Sequence, residues 1–281
     1  MSLKSLRPSQ VALGDGAVIN YVRAGKGPIL IMLHGVMGDY RSWAPQWEAF
    51  TSHYDCIAIS CRFNWPNPNT MEAPNHSAVE NADDVAEIME LLGIPSAIVV
   101  GSSYGAFAAL ALAVNHSDRV RAIVGVEPPM MRYAELFKDT APTATAFRES
   151  TVASSRAAFE RGDDELGALL LTGGIQNVSV DAIPPEKLQQ RIDNMMAGRR
   201  VALSTDEFPL LPPEKLGAIS VPVMLITGAK TGPVFKAMFS AITRTIPQAR
   251  AEVVEGAGHS VPVDQPAVFN RLTLDFLETS L

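Results

Sequence analysis

Cysteine is scarce in this chain: Cys56 and Cys61 are the only two among 281 residues. Two thiols are too few for a disulfide-stabilised scaffold, and their spacing is not that of a zinc site. The longest apolar runs, such as Ile29–Leu33, have the length of a strand and are too short to cross a bilayer. The N-terminal residues lack the apolar core of a signal peptide. We therefore expect reduced thiols in a cytoplasmic protein that has no membrane partner.

The chain also lacks basic clusters. It carries 30 acidic and 23 basic side chains, a net charge of −7, and these charges are spread along its length. This distribution argues against nucleic acid as a partner. We find neither a metal-ligand spacing nor a dinucleotide fingerprint, so we expect no metal and no other cofactor. A hydrophobic content of 47% provides for the core of one large domain, or of a domain with an insertion.

The most informative motif is Gly-Ser-Ser-Tyr-Gly at residues 101–105. An apolar run precedes it and a run of small helix-forming residues follows it. A strand, a tight turn and a helix in this order present a serine hydroxyl at a strained corner. A serine hydroxyl is a weak nucleophile at neutral pH and needs a positioned base. The motif therefore predicts Ser103 as a nucleophile, which requires a base and an acid elsewhere in the chain.

The rest of the chain alternates short β-type runs with amphipathic helical patterns, which predicts a mostly parallel sheet covered on both faces. The alternation stops between residues 130 and 213, where several helical patches occur without a convincing strand. Ligands bind at the carboxyl ends of the strands in open α/β sheets. We interpret residues 130–213 as a helical lid over these ends, inserted into a core formed by residues 1–129 and 214–281.

Three motifs in this order resemble those of the α/β-hydrolase superfamily, and the resemblance covers nearly the whole chain. It implies an eight-stranded, mostly parallel sheet flanked by helices, with the lid between the sixth and seventh strands. The motifs are His-Gly-Val-Met-Gly at 34–38, Gly-Ser-Ser-Tyr-Gly at 101–105 and Gly-Ala-Gly-His at 256–259.

The resemblance also implies roles at the site. Ser103 matches the nucleophile and His259 the base, in the superfamily's order of serine, acid and histidine. The backbone N–H groups of Val36 and Tyr104 match the donors that stabilise the oxyanion. Of the remaining histidines, His34 belongs to the oxyanion-loop motif, and the other three, at 53, 76 and 116, stand in polar surroundings.

The acid departs from the common pattern. In most of the superfamily it stands in a Gly-x-x-Asp turn after the seventh strand, where this chain has Gly-Ala-Lys-Thr at 228–231. No acidic residue occurs between Glu214 and Glu252. We therefore predict Glu127, at the end of the preceding strand, as the residue that orients His259.

Some branches of the superfamily place the acid at this position, including certain haloalkane dehalogenases and zearalenone-lactonase-like enzymes. This chain resembles the latter more closely, because Glu127-Pro128 accompanies a serine elbow. The alternatives are Asp264, five residues after His259, and a lid acid such as Asp206 or Glu207.

These residues predict a carboxylesterase- or lactonase-like serine hydrolase that forms an acyl-enzyme from a small to medium apolar ester or lactone. Trp65, Met130 and Met131 are candidates for contact with the substrate, and a homodimer is one expectation for the assembly. C–C bond hydrolysis, perhydrolysis and hydroxynitrile cleavage use the same triad and stay open as alternatives. A receptor that keeps the hydrolase fold and binds its ligand without turnover is a further alternative.

Overall fold

The computed structural model describes residues 2–69, 77–183 and 185–281, so that His76 lies outside the described residues. The strands are β1 (Ser9–Ala12), β2 (Val18–Ala24), β3 (Ile29–Leu33), β4 (Asp55–Ile59), β5 (Ala97–Ser102), β6 (Val120–Val126), β7 (Val223–Gly228) and β8 (Arg250–Val254). The α-helices outside residues 130–213 are α1 (Ala44–Thr51), α2 (Ala78–Leu91), α3 (Tyr104–Asn115), α11 (Pro233–Thr245), α12 (Val261–Asp264) and α13 (Pro266–Ser280).

All eight strands form one sheet in the order β1-β2-β4-β3-β5-β6-β7-β8. Strands β3 to β8 pair in parallel, and β1 and β2 add an antiparallel edge. The predicted eight-stranded, mostly parallel sheet flanked by helices is thereby confirmed. Parallel strands bring their carboxyl ends to one edge of the sheet. The segments after β5, β6, β7 and β8 therefore meet there, and these segments carry Ser103, Glu127, Thr231 and His259.

Apolar side chains fill a layer on each face of the sheet, as strands buried on both faces require. Along β3, Ile31 and Leu33 face a layer that includes Phe107 of α3. The alternate residues Leu30 and Met32 face a second layer, which contains Trp47 of α1. This period of two explains why β3 has apolar residues throughout.

Two details differ from the sequence prediction. Strand β1 is a short edge strand with mostly exposed side chains, so no apolar alternation marked it. Strand β7 begins at Val223, although the apolar run from which the sequence predicts this strand, Val221–Thr227, begins two residues earlier. Pro222 cannot donate a backbone hydrogen bond, which keeps it out of a strand that is paired on both sides.

Helices occupy most of the segment between β6 and β7. This segment contacts the core through α4 (Met131–Leu136) and α5 (Ala141–Phe147), which pack against α11. The helix Arg148–Val152, which joins α5 to α6 (Ala153–Glu160), has π geometry. Among the residues that the structure describes, no helix is long and apolar enough to cross a membrane. The α-helices of this segment are α4 (Met131–Leu136), α5 (Ala141–Phe147), α6 (Ala153–Glu160), α7 (Asp164–Gln176), α8 (Pro185–Asp193), α9 (Met195–Leu203) and α10 (Pro213–Gly217).

Candidate active site

Ser103 stands at the turn between β5 and α3 with φ 52° and ψ −116°, a left-handed conformation that is uncommon for a residue with a side chain. Two glycines make the turn feasible. A Cβ on Gly101 would lie 2.3 Å from the Gly105 carbonyl oxygen, and a Cβ on Gly105 would lie 2.2 Å from that of Leu33. The strained backbone at Ser103 is therefore held by close packing of the strand, the turn and the helix.

The His34-Gly35 loop lies against this turn. Gly105 N–H donates to the His34 carbonyl at 3.0 Å. The His34 ring is buried, with Nε2 2.9 Å from the Cys61 N–H and Nδ1 2.7 Å from the Gly35 carbonyl. Because Nε2 accepts the Cys61 N–H, the ring is neutral in this arrangement, and burial lowers the pKa of His34 in the same sense. The two hydrogen bonds of the ring fix the loop. His34 thus has a structural position rather than that of a base.

The backbone N–H groups of Val36 and Tyr104 have no acceptor among the described residues. Tyr104 is the first residue of α3, where N–H groups lack a partner within the helix. Both residues line a cavity next to Ser103. Two unpaired donors beside a nucleophile can stabilise an oxyanion.

The carboxylate of Glu127 lies next to the ring of His259, and the two side chains are almost completely buried. His259 Nδ1 is 2.6 Å from Glu127 Oε2, which assigns the proton to Nδ1 as donor. Phe235 packs against the imidazole, with ring centroids 4.0 Å apart. These contacts fix the imidazole and leave Nε2 as the nitrogen available to a substrate or nucleophile.

Three further donors hold the Glu127 carboxylate. The Thr227 hydroxyl and the Gly228 N–H donate to Oε1 at 2.6 and 3.0 Å, and the Thr231 hydroxyl donates to Oε2 at 2.8 Å. Burial opposes ionisation, but the hydrogen bond and charge of His259, with the bonds from Thr227 and Gly228, outweigh it and lower the pKa of Glu127.

Thr227 precedes the segment at 228–231, and Thr231 ends it. This segment lacks the usual acid, and its donors bind the carboxylate of Glu127 instead. The sequence analysis did not identify either threonine, although two hydroxyl residues beside a turn without an acid could have indicated this role.

The alternative acids lie elsewhere. Asp264 accepts the N–H of Gly258 at 2.9 Å and so supports the loop before His259. Asp206 pairs with Arg132 at 2.6 Å. Glu207 is buried near Arg200, at 3.9 Å, and burial raises its pKa to about 7.

Two cavities meet at Ser103. The smaller, which we call the polar chamber, has a volume of about 190 Å³, and no Asp or Glu occurs among its described lining residues. Its lining comes from the core loops and from α7 and α8. Its main lining residues are His34, Val36, Met37, Ser42, Trp43, Ser103, Thr172, Ile175, Gln176, Gln190, Arg191, His259, Ser260, Pro262 and Val263.

The larger cavity, which we call the apolar chamber, measures about 370 Å³. Its charged residues include Arg132 and Arg148, which pair with Asp206 and Glu135, and Arg156, which donates to two backbone carbonyls of the lid. Its apolar and aromatic lining is Val36, Tyr104, Pro129, Met131, Phe147, Val152, Ala153, Leu171, Ile175, Val201, Phe208, Phe235 and Met238.

The three predicted substrate contacts have different positions. Met131 lines the apolar chamber. Met130 is buried in the core layer, and Trp65 packs on Tyr40 beneath the Arg41 guanidinium. Neither Met130 nor Trp65 lines a chamber. Within residues 2–69, 77–183 and 185–281, no three His, Cys, Asp or Glu side chains are placed to hold a metal ion.

Comparison with known proteins places this site in context. Residues 28–266 match the family described as alpha/beta hydrolase fold. The chain is 26% identical over 260 residues to a putative carbamate hydrolase, RutD, of Caulobacter sp. (strain K31), covering 88% of this chain and 90% of the relative. It is 24% identical over 259 residues to carboxylesterase YbfK of Bacillus subtilis (strain 168), covering 89% and 80%.

Solved structures share the fold at lower identity. The crystal structure of the Bacillus subtilis carboxylesterase CesB (YbfK) superposes with a TM-score of 0.72 at 20% identity, covering 99% of this chain and 94% of that one. A putative epoxide hydrolase from Pseudomonas aeruginosa superposes with a TM-score of 0.73 at 19% identity, covering 100% and 98%.

Proposed function

Because this chain belongs to the α/β-hydrolase family, we propose that it is a serine hydrolase that cleaves esters or lactones with a small to medium apolar acyl group. The observation that carries this proposal is the buried 2.6 Å contact between His259 and Glu127, beside a chamber that His259 and Ser103 line together. A nucleophile, a base and a group that orients the base are the requirements of acyl transfer by serine.

In the proposed mechanism, Ser103 Oγ attacks the acyl carbon while His259 Nε2 accepts the serine proton. The negative charge that develops on the carbonyl oxygen is stabilised by the N–H groups of Val36 and Tyr104. Donors of this kind contribute about 100- to 1000-fold in rate each. Glu127 keeps the imidazole oriented and stabilises its cation.

The tetrahedral intermediate then expels the leaving alkoxide, to which His259 returns the proton. Water attacks the acyl-enzyme in the same manner and releases the acid and Ser103. A lactone follows the same steps, except that the alcohol stays attached to the acyl group.

The apolar chamber fits the acyl group. It begins at Ser103, and its main lining includes Met131, Leu171 and Phe208. Each buried CH₂ group contributes about 0.8 kcal/mol to binding from water, which favours a chain that fills the chamber. Two of the compared proteins carry the names carboxylesterase and putative carbamate hydrolase, and both names refer to substrates with an acyl carbon.

Epoxide hydrolases also occur among the structural neighbours. The superfamily resemblance implies a carboxylate nucleophile for epoxide opening, whereas this chain has a serine at position 103. We therefore retain acyl transfer as the proposed reaction.

The test is turnover of neutral p-nitrophenyl esters from acetate to dodecanoate and of γ- and δ-lactones, with labelling by a fluorophosphonate. We expect a maximum at short or medium acyl length, stoichiometric labelling of Ser103 by mass spectrometry, and a loss of about 10⁴-fold or more in Ser103→Ala. Turnover retained in Ser103→Ala would contradict the mechanism. Ligand binding with no turnover and no labelling would support a receptor instead.

A further inference from the structure

Arg191 of α8 presents a positive charge to the polar chamber. One of its five N–H groups donates to the Met37 carbonyl at 3.0 Å. Among the described side chains, which do not include those of residues 184–187, no carboxylate lies within 4.0 Å of the guanidinium. Burial lowers the pKa of Arg191, but a guanidinium stays protonated in proteins. Arg191 is partly buried, so its guanidinium loses part of its hydration without gaining a counter-ion, and a ligand anion would offset that loss.

The carboxylate whose charge acts on Arg191 is that of Asp39, and it is already hydrogen-bonded to other residues. Asp39 is completely buried, and both its oxygens accept from Arg41, at 2.8 and 2.7 Å. Asn194 donates to Oδ2 of the same carboxylate at 2.8 Å. Asp39 attracts Arg191 through space but forms no ion pair with it. The free N–H groups of Arg191 therefore have no acceptor in the described part of the chain.

A second unpaired donor lies in the same chamber. Thr172 of α7 is 5% exposed, and its hydroxyl has no hydrogen-bond partner in the part of the chain that the structure describes. Buried hydroxyls usually have a partner, so this one is suited to a polar atom of a ligand. Together, Arg191 and Thr172 give the chamber a surplus of donors, and its described lining contains no carboxylate. Such a lining is complementary to an anion.

The position of His259 decides which part of the substrate occupies the polar chamber. In the proposed mechanism, His259 gives its proton to the leaving alcohol, and a general acid must lie within hydrogen-bond distance of the atom it protonates. His259 lines the polar chamber and not the apolar one. The leaving alcohol therefore belongs in the polar chamber, and the acyl chain in the apolar chamber.

We propose that the polar chamber binds a leaving alcohol that carries a carboxylate, with Arg191 as its counter-ion and Thr172 as an added donor. This inference rests on the proposed function. It means that only the acyl group of the substrate is apolar, while the alcohol carries a negative charge. A single guanidinium balances the single charge of a carboxylate, whereas a phosphate monoester carries close to two charges at neutral pH. The overall reaction consumes one water and yields an apolar acid and a hydroxycarboxylate.

The test compares two esters with the same acyl group, 3-carboxyphenyl butanoate and its neutral amide 3-carbamoylphenyl butanoate. For the wild type we expect the higher kcat/KM with the anionic ester. In Arg191→Gln we expect kcat/KM to fall about 10- to 100-fold for the anionic ester, chiefly through KM, and about 2-fold at most for the neutral one. Arg191→Lys keeps the charge and should restore part of the preference, while Thr172→Val should cost the anionic ester a few-fold.

Arg161→Gln is the matched control, because Arg161 is an exposed lid residue outside both chambers. We expect it to leave both esters unchanged, which would separate a local contact from the general charge of the lid. Equal losses for both esters in Arg191→Gln would overturn the inference and make Arg191 a structural residue of the lid. A wild-type preference for the neutral ester would overturn it as well.

A binding measurement keeps the inference separate from the proposed function. Calorimetry should detect 3-hydroxybenzoate binding to the wild type and to Ser103→Ala, and about 10-fold or more weaker binding to Arg191→Gln. If no ester is hydrolysed while this Arg191-dependent binding persists, the proposed reaction fails and the anion site stands. If the esters are hydrolysed but 3-hydroxybenzoate binding does not depend on Arg191, the anion site fails and the proposed reaction stands.

Discussion

The polar and apolar chambers share Ser103, Val36 and Ile175, yet most of their lining comes from different parts of the chain. Much of the polar chamber consists of core loops that also hold catalytic candidates, from His34 to Gly38 and from His259 to Val263. The apolar chamber is lined largely by lid residues between Met131 and Phe208. Under the proposed function, we therefore expect substitutions in this segment to alter acyl selectivity with little effect on the proposed catalytic groups, and substitutions in the polar chamber to affect catalysis as well.

The largest expected effect tests whether both chambers serve one catalytic centre. Glu127→Gln should lower kcat by about 10³- to 10⁴-fold, because an amide cannot stabilise the imidazolium or hold the correct tautomer. The loss should be equal for anionic and neutral leaving groups and for short and long acyl chains. Steady-state kinetics with these substrates provides the measurement.

Asp264→Asn is the matched control for Glu127→Gln. Its carboxylate contacts the Gly258 N–H rather than His259 in the structure, so we expect a loss below about 10-fold. A variant Glu127→Gln that keeps near-full activity, together with an inactive Asp264→Asn, would show that the acid is misassigned.

The next effect is the pH dependence of stability caused by Glu207, a residue that lines the apolar chamber and not the polar one. The pKa of Glu207 is raised to about 7 in the folded protein, against 4.5 for an ordinary glutamate. The folded state then binds this proton more tightly than the unfolded chain, and its contribution to stability is lost as pH rises from about 4.5 to 7.

Between pH 5 and pH 8, the titration of Glu207 should lower the free energy of unfolding of the wild type by about 1–3 kcal/mol. Glu207→Gln should remove this part of the pH dependence. Urea unfolding of both proteins at several pH values measures it. The absolute stability of the variant is a separate quantity, because Arg200 lies 3.9 Å from Glu207 and would lose a neighbouring charge. An unchanged difference between wild type and variant at all pH values would contradict the raised pKa.

A smaller effect is expected when a larger side chain fills part of the apolar chamber and leaves the polar chamber unchanged. Val201 lines the apolar chamber and is absent from the lining of the polar one. Val201→Trp fills part of the apolar chamber and should lower kcat/KM for octanoyl esters by about 10-fold or more, while acetyl esters change little. Val178→Trp, at an exposed lid position, is the control of equal size change. Equal losses for both acyl lengths would indicate a displaced lid instead of a filled chamber.

The smallest effect concerns the support of the acid. Thr231→Val removes one donor from Glu127, and we expect kcat to fall about 3- to 10-fold for all substrates alike. Thr231→Ser keeps the hydroxyl and should recover most of the activity. A loss confined to one leaving group would mean that Thr231 acts on the substrate and not through Glu127.

The positions of Ser103, Glu127 and His259 were predictable because the rules that place them are local. Each residue follows a buried strand, and parallel strands end at the same edge of the sheet. The structure brings Glu127 and His259 together, while Asp264, the sequence's other nearby candidate, supports the preceding loop. The catalytic roles themselves stay predictions until the variants are measured.

Arg191 and Thr172 were not predictable in the same way. Arg191 and Thr172 belong to lid helices, and helical periodicity shows that a helix has a buried face without showing what that face covers. Trp65 illustrates the converse, because an aromatic residue in a loop after a strand suggested substrate contact. In the folded protein its ring packs on Tyr40, under Arg41.

The sequence by itself determined the alternating α/β order, the strained serine turn and the absence of an acid after β7, because each depends on short-range patterns of residue type. Only the tertiary structure decided that two threonines hold Glu127 in place of the usual turn acid, and that Ser103 stands between a polar and an apolar chamber. Those features arise from segments about 100 residues apart in the chain, such as Glu127 and Thr227, whose contact depends on sheet register and lid packing.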